Sequence, residues 1–170
     1  MKIFIMRHGE AADIAGDDSQ RPLTKQGIDE AKTMGQWILQ QTPNLVDVMV
    51  SPYIRAQQTC DYVLRSLSDG ESLSHQVNTA DFITPSGNAK QVHDFVDGVF
   101  SQDQDKNYSD ENTAVLFISH MPFVSYFVAE LTDKNNMPMF STGAIAVIDY
   151  DLKSMQGQLV EIISPCQVIN

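Results

Sequence analysis

Short apolar runs rich in β-branched residues alternate along this chain with longer stretches in which apolar residues recur every three or four positions. The first run, Lys2-Ile3-Phe4-Ile5-Met6, predicts a buried strand. Val46-Asp47-Val48-Met49-Val50 and Ala114-Val115-Leu116-Phe117-Ile118 predict two more. Residues 144–149 and 158–163, flanking 152–157, predict a closing hairpin. Thr24 is the expected N-cap of a helix to about Gln41, with Ile28, Ala31, Gly35, Ile38 and Thr42 on one stripe. A second helix is expected from Arg55 to Leu67, carrying Ala56, Thr59, Cys60, Val63, Leu64 and Leu67 at helical spacing. A third from about Asn88 to Phe100 presents Ala89, Val92, Val96 and Val99, and a fourth from about Phe123 to Thr132 presents Val124, Phe127, Val128 and Leu131. Residues 11–23 are polar and Asp/Gly-rich, 68–85 read as irregular, and 102–112 form an acidic stretch expected to be a mobile surface loop.

Strands alternating with helices predict an α/β fold: a three-layer α/β/α sandwich around a mostly parallel sheet, mixed where the hairpin closes it. The 170 residues suffice for one domain spanning 1–170 with its own core. The links between strands are short, which leaves no room for a cap domain.

The predicted strand ends carry the chemistry. Arg7-His8-Gly9-Glu10 follows the first strand, Ser51-Pro52-Tyr53-Ile54-Arg55-Ala56-Gln57-Gln58-Thr59 the second, and Ser119-His120-Met121-Pro122 the third. Parallel strands would bring these ends to one edge of the sheet, where open α/β sheets bind ligands. Two arginines and two histidines converging there make an anion site, and a phosphoryl group is the natural dense anion. Arg7 and Arg55 are permanent cations, and His8 is a nitrogen nucleophile that is neutral near pH 7. His120 precedes a helix start, where free N–H groups also favour phosphate. Gly9 is expected to let the backbone approach the anion, and Met121 to contact the substrate. Glu10 is expected to orient an imidazole or to solvate the loop. His75 and His93 lack any such setting and are expected on the surface or on a helix face. Cys60 falls on an apolar stripe and is expected in the core.

With these motifs in this order, the chain resembles the histidine phosphatase superfamily (phosphoglycerate mutase-like). It is most similar to its small SixA-type phosphohistidine phosphatases. Arg21-Pro22-Leu23-Thr24, Pro138-Met139-Phe140-Ser141-Thr142-Gly143 and Ser164-Pro165-Cys166 carry that closer likeness. The resemblance implies a phosphoglycerate mutase-like fold and catalysis by His8, Arg7, Arg55 and His120. It gives Arg21 a phosphate-facing or partner-facing role, where an arginine is otherwise a surface residue by default.

Composition narrows the function further. A net charge of −11 argues against nucleic acid and against an anionic membrane surface as partners. It also makes Arg7, Arg21 and Arg55 a local exception in an acidic chain. Two cysteines form no disulfide framework, and no apolar run reaches membrane-spanning length, so a cytoplasmic setting is expected. No metal or other cofactor is expected, since the arginines supply the positive charge and no ligand motif occurs.

The expected reaction is in-line attack by neutral His8 on phosphorus, giving a phosphohistidine that water hydrolyses. His120, protonated or hydrogen bonding, helps the arginines hold the equatorial oxygens. Larger members of the resembled family carry a mid-chain glutamate that protonates an alkoxide leaving group. The corresponding stretch here, Asn78-Thr79-Ala80-Asp81-Phe82-Ile83-Thr84-Pro85, offers Asp81, with Asp18 as its rival. Ala11 and Ala12 stand where sugar-phosphate enzymes of that family use polar residues. These departures favour a phosphohistidine substrate, because an imidazole leaving group protonates near pH 6.5 and needs little acid help. The expected partner is a histidine-phosphorylated protein, either a phosphotransfer domain or a phosphocarrier. A broad small-molecule phosphomonoesterase of the same fold and a non-catalytic phosphohistidine-binding module remain alternatives.

Overall fold

Strand β1 (Lys2–Arg7) is covered on both faces, which is why it reads as an unbroken apolar run. Ile3 and Ile5 point to one side and Phe4 and Met6 to the other. The computed structural model describes residues 1–41, 43–67, 76–100, 108, 110–132 and 137–168. The other strands are β2 (Asn44–Val50), β3 (Gln76–Thr79), β4 (Thr113–Ser119), β5 (Ile145–Asp151) and β6 (Gln156–Ile163). They form one sheet in the order β3-β2-β4-β1-β5-β6. The first four in that order are parallel, while β5 and β6 are antiparallel to their neighbours. Helices α1 (Lys25–Gln40) and α2 (Ile54–Leu67) pack on the Phe4 and Met6 face. Helices α3 (Ala89–Phe100) and α4 (Phe123–Leu131) pack on the Ile3 and Ile5 face. A final turn of helix, α5 (Pro165–Val168), follows β6 and touches α1. The three-layer sandwich with a mixed sheet is thus present, and no described segment caps the carboxyl edge of the parallel strands. Among the described residues no helix is long and apolar enough to cross a membrane.

The elements agree with the sequence pattern to within a residue or two, with two corrections. Residues 76–79, expected to be irregular, form the parallel edge strand β3. This strand reads Gln-Val-Asn-Thr and exposes its one apolar side chain, Val77, so the periodicity of a buried strand is missing. Most of the acidic stretch 102–112 lies outside the described residues. Within it, Tyr108 is buried and stacks on Phe100 with ring centroids 4.4 Å apart, so this residue is core rather than mobile surface. Thr42 and His75 also lie outside the described residues. His93 falls on the face of α3, the second of its two expected settings, where it is only slightly exposed and pairs with the Tyr150 hydroxyl at 2.7 Å. Cys60 is buried, and burial pushes its thiol up to about 12. It behaves as a core hydrophobe.

Register aligns the strand ends. Arg7 pairs with Ser119, and Ile118 with Val50, so His8, His120 and Ser51 leave the sheet side by side. The His8 N–H donates to Ser119 O at 2.9 Å and the Ser51 N–H to Ile118 O at 3.1 Å. The loop after β1 is pinned at its base by a bridge between Ala11 and Leu23. Thr24 caps α1 by accepting the Gly27 N–H at 3.1 Å.

Candidate active site

The carboxyl edge opens into a cleft of about 370 Å³ lined by Arg7, His8, Glu10, Ala11, Asp18, Arg21, Arg55, Pro85, His120, Met121 and Thr142. All four residues expected to act on phosphorus are there, brought from β1, α2 and the end of β4. His8 donates its Nδ1–H to the Gly9 carbonyl at 2.7 Å. That bond leaves Nε2 as the lone-pair nitrogen, and Arg55 Nε–H donates to it at 3.1 Å. Burial first, then Arg55, Arg7 and Arg21 nearby, lower the His8 pKa to about 4, so the imidazole is neutral at pH 7.

His120 lies with its ring centroid 5.0 Å from that of His8, and its Nε2 is 2.7 Å from Ser51 Oγ. Burial and the neighbouring His8 and Arg55 hold it well below the usual imidazole range. It is therefore a neutral hydrogen-bonding group here, not the imidazolium admitted as one option from sequence. Tyr53 braces the pair, edge-on to the His120 ring at 4.8 Å and 4.9 Å beneath the Arg55 guanidinium.

Arg7 donates through Nη1 to the Phe140 carbonyl at 2.7 Å. Arg55 is 4 % exposed and tied to Asp18 twice: Nη1 to the main-chain oxygen at 2.5 Å and Nη2 to the carboxylate at 2.9 Å. Arg21 holds the other carboxylate oxygen at 3.0 Å and donates Nε–H to Ala12 O at 2.8 Å. Among the described residues, the buried side-chain polar atoms without a hydrogen-bond partner are Arg7 Nε and His120 Nδ1, both in residues that line the cleft.

Other site expectations fare unevenly. Met121 and Arg21 line the cleft as expected. Gly9 does not; a Cβ there would lie 2.4 Å from the Gly27 carbonyl, so its smallness serves the packing of α1 against the loop. Its N–H donates to Thr59 Oγ1 at 3.1 Å. Asp81 is exposed and does not line the cleft, so the structure does not bring it to the reacting group. Asp18 does line it, but its hydrogen bonds to Arg55 and Arg21 lower its pKa, the wrong direction for a proton donor. Glu10 hydrogen-bonds neither imidazole; its carboxylate accepts from Thr24 Oγ1 at 2.5 Å. Sequence reasoning missed Glu30, which accepts the Glu10 N–H at 2.8 Å and the Thr142 hydroxyl at 2.9 Å. An acidic residue inside a helix gives no such signal. Ser51 and Thr59, by contrast, lie inside the Ser-Pro-x-x-Arg segment and were open to closer reading.

A histidine with an unprotonated Nε2, held by an arginine at the carboxyl edge of an α/β sheet, is the arrangement of a phosphoryl-transfer enzyme. A sequence model of the histidine phosphatase superfamily (branch 1) matches residues 3–80. The phosphohistidine phosphatase SixA of Escherichia coli (strain K12) is 37 % identical over 168 residues, 99 % of this chain and 96 % of that protein. The SixA homolog of Haemophilus influenzae is 37 % identical over 157 residues, 89 % of each chain. A solved structure of protein histidine phosphatase SixA complexed with tungstate superposes with a TM-score of 0.85 at 38 % identity, covering 99 % of both chains. This chain belongs to the histidine phosphatase superfamily, and within it to the SixA-type phosphohistidine phosphatases.

Proposed function

We propose that this protein removes the phosphoryl group from a histidine-phosphorylated protein by way of a phosphohistidine on His8. The observation that carries the reading is the fixed tautomer of His8, Nδ1–H on Gly9 O with Nε2 unprotonated in a cleft of cations. The Nε2 lone pair gives up its hydrogen bond from Arg55 and attacks phosphorus in line, while the bond from phosphorus to the substrate imidazole breaks and the freed Arg55 Nε–H turns to a phosphoryl oxygen. That imidazole takes up a proton as it leaves, which its own basicity near pH 6.5 permits without a strong acid. Arg7, Arg55 and His120 face the equatorial oxygens, where charge is spread in the loose transition state. Water then attacks the phosphorus on His8, releasing inorganic phosphate and restoring the imidazole.

Support for a protein substrate comes from the relatives' activity and from the surroundings of the cleft. The segment 137–140 runs along one lip, since Phe140 O holds Arg7 and Thr142 lines the cleft. Met139, next to Phe140 in that segment, is 82 % exposed, and Met137 is also largely exposed. Such apolar side chains suit contact with a folded partner such as a phosphotransfer domain or phosphocarrier. A small-molecule phosphomonoesterase is not favoured, because among the described residues the carboxyls that line the cleft are Glu10, engaged by Thr24, and Asp18, engaged by Arg55 and Arg21, and neither is set up to protonate an alkoxide. A silent binding module is not favoured either, since the nucleophile and both arginines are in place.

Rapid quench of the wild-type protein with a ³²P-labelled, histidine-phosphorylated phosphotransfer domain tests the reading. Acid-labile, alkali-stable label on His8, absent from His8→Ala, is the expected result. Label on His120 or on a cysteine would refute the assignment.

A further inference from the structure

The mechanism above uses His120 as a neutral group and leaves open which of its nitrogens carries the proton. A neutral imidazole offers one donor and one lone pair, and only the donor is useful against a phosphoryl anion. We propose that the buried Ser51 hydroxyl is a positioning residue that fixes His120 as its Nδ1–H tautomer, so that Nδ1 donates to a phosphoryl oxygen.

Hydrogen-bond accounting around Ser51 leads to this. Ser51 is fully buried at the end of β2, and its Oγ lies 2.7 Å from His120 Nε2. The other group within reach of Oγ among the described residues is the Tyr53 N–H, at 3.5 Å, which can only donate. The hydroxyl has one proton to give, and His120 Nε2 is the acceptor in reach. If Nε2 were protonated instead, Oγ would face two donors and its own buried proton would have no acceptor. Satisfying Ser51 therefore makes Nε2 the lone pair and places the proton on Nδ1.

The other end of the imidazole agrees. His120 Nδ1 is buried without a partner, as is Arg7 Nε. An arginine Nε is always a donor, so a group that satisfies it is an acceptor such as a phosphoryl oxygen. With Nδ1–H, His120 offers a second donor to the same anion; with Nε2–H it would turn a lone pair toward it. Burial and the neighbouring His8 and Arg55 favour the neutral imidazole, in which one nitrogen donates and the other accepts. The tautomer decides, and Ser51 sets it. His8 uses the same device with the Gly9 carbonyl, but to free the opposite nitrogen.

The inference builds on the proposed phosphoryl site, but its test does not need the phosphohistidine substrate. The full chain, ¹⁵N-labelled at histidine, is examined near pH 7 by long-range ¹H–¹⁵N correlation, with His120 assigned by difference against His120→Asn. The expected spectrum has a pyrrole-like, protonated Nδ1 and a pyridine-like Nε2. In Ser51→Ala the two nitrogens should move toward averaged positions, and tungstate should bind at least tenfold more weakly. Ser51→Thr, which keeps the hydroxyl, should retain the wild-type tautomer and most of the affinity. A residue needed only for packing would leave the tautomer unmoved. A wild-type His120 protonated at Nε2 overturns the proposal, whether or not Ser51→Ala folds. So does a Ser51→Ala protein with unchanged tautomer and tungstate affinity. Wild-type protein with the expected tautomer that fails to turn over phosphohistidine would support the role of Ser51 and refute the proposed substrate instead.

Discussion

Arg55 Nε–H donates to His8 Nε2 across 3.1 Å, so the nitrogen proposed to attack phosphorus is held by the cation proposed to face the transition state. An arginine can only donate, so this contact requires an unprotonated Nε2. It also keeps Arg55 within reach of whatever binds that nitrogen. A phosphoryl group arriving at His8 meets the guanidinium at once.

The depressed basicity of His8 has a consequence for stability. Its folded pKa of about 4 lies below the ordinary 6.5, so between those values the unfolded chain binds a proton that the folded one does not. Stability is therefore full above about pH 6.5 and falls as the pH drops toward 4. His120 acts in the same direction. At pH 5 the share due to His8 is about 2 kcal/mol, taking about 1.4 kcal/mol for each unit of pH. Urea unfolding at pH 7.5 and pH 5 should show His8→Gln losing less stability than wild type by roughly that amount. Parallel losses in the two proteins would show that His8 titrates normally.

Removing either arginine should cost transition-state stabilisation rather than folding. Arg7→Ala and Arg55→Ala should each lower kcat/KM for a phosphorylated phosphotransfer domain at least a hundredfold, on the order of 3 kcal/mol. Arg55→Ala carries an added cost, since it leaves Asp18 without its buried partner. Stopped-flow turnover and calorimetric binding of tungstate measure both. Unchanged tungstate affinity in both variants would place the anion elsewhere.

Asp18 and Asp81 test the leaving-group argument. Neither is positioned and protonated to serve an alkoxide, so Asp18→Asn and Asp81→Asn should each change phosphohistidine turnover by less than about tenfold, well short of the 10²–10⁴ of general acid catalysis. Wild type should cleave phosphohistidine and p-nitrophenyl phosphate while hydrolysing 3-phosphoglycerate orders of magnitude more slowly. Comparable kcat/KM for 3-phosphoglycerate, abolished by Asp81→Asn, would identify Asp81 as a working general acid and refute the substrate class.

The exposed lip should separate large substrates from small ones. Met139→Glu places a charge on a side chain that is 82 % exposed, so folding should be unaffected. Its kcat/KM for a phosphorylated phosphotransfer domain should fall about tenfold, the size of 1.4 kcal/mol lost at a docking contact. Turnover of p-nitrophenyl phosphate should stay at the wild-type level. Equal effects on both substrates would remove this lip from the docking surface.

The sequence alone determined the layered α/β fold and the convergence of His8, Arg7, Arg55 and His120. Buried parallel strands must be nearly continuous in apolar residues, and their carboxyl ends must then meet at one edge. A strand at the sheet border obeys no such rule, so Gln76–Thr79 stayed hidden until its pairing with β2 was seen. Tyr108 lay in a stretch whose composition argued for solvent, and only the stacked ring of Phe100 placed it inside. The roles of single polar groups were likewise decided by tertiary structure. Gly9 turned out to make room for Gly27 rather than for an anion, because the clash is with a backbone eighteen residues away. Asp18 turned out to be an anchor for Arg55 and Arg21, because a carboxylate beside two guanidinium groups holds its proton less tightly, not more. Residue type sets which protons a side chain can give or take; the neighbours that folding brings within 3 Å decide which of them it does.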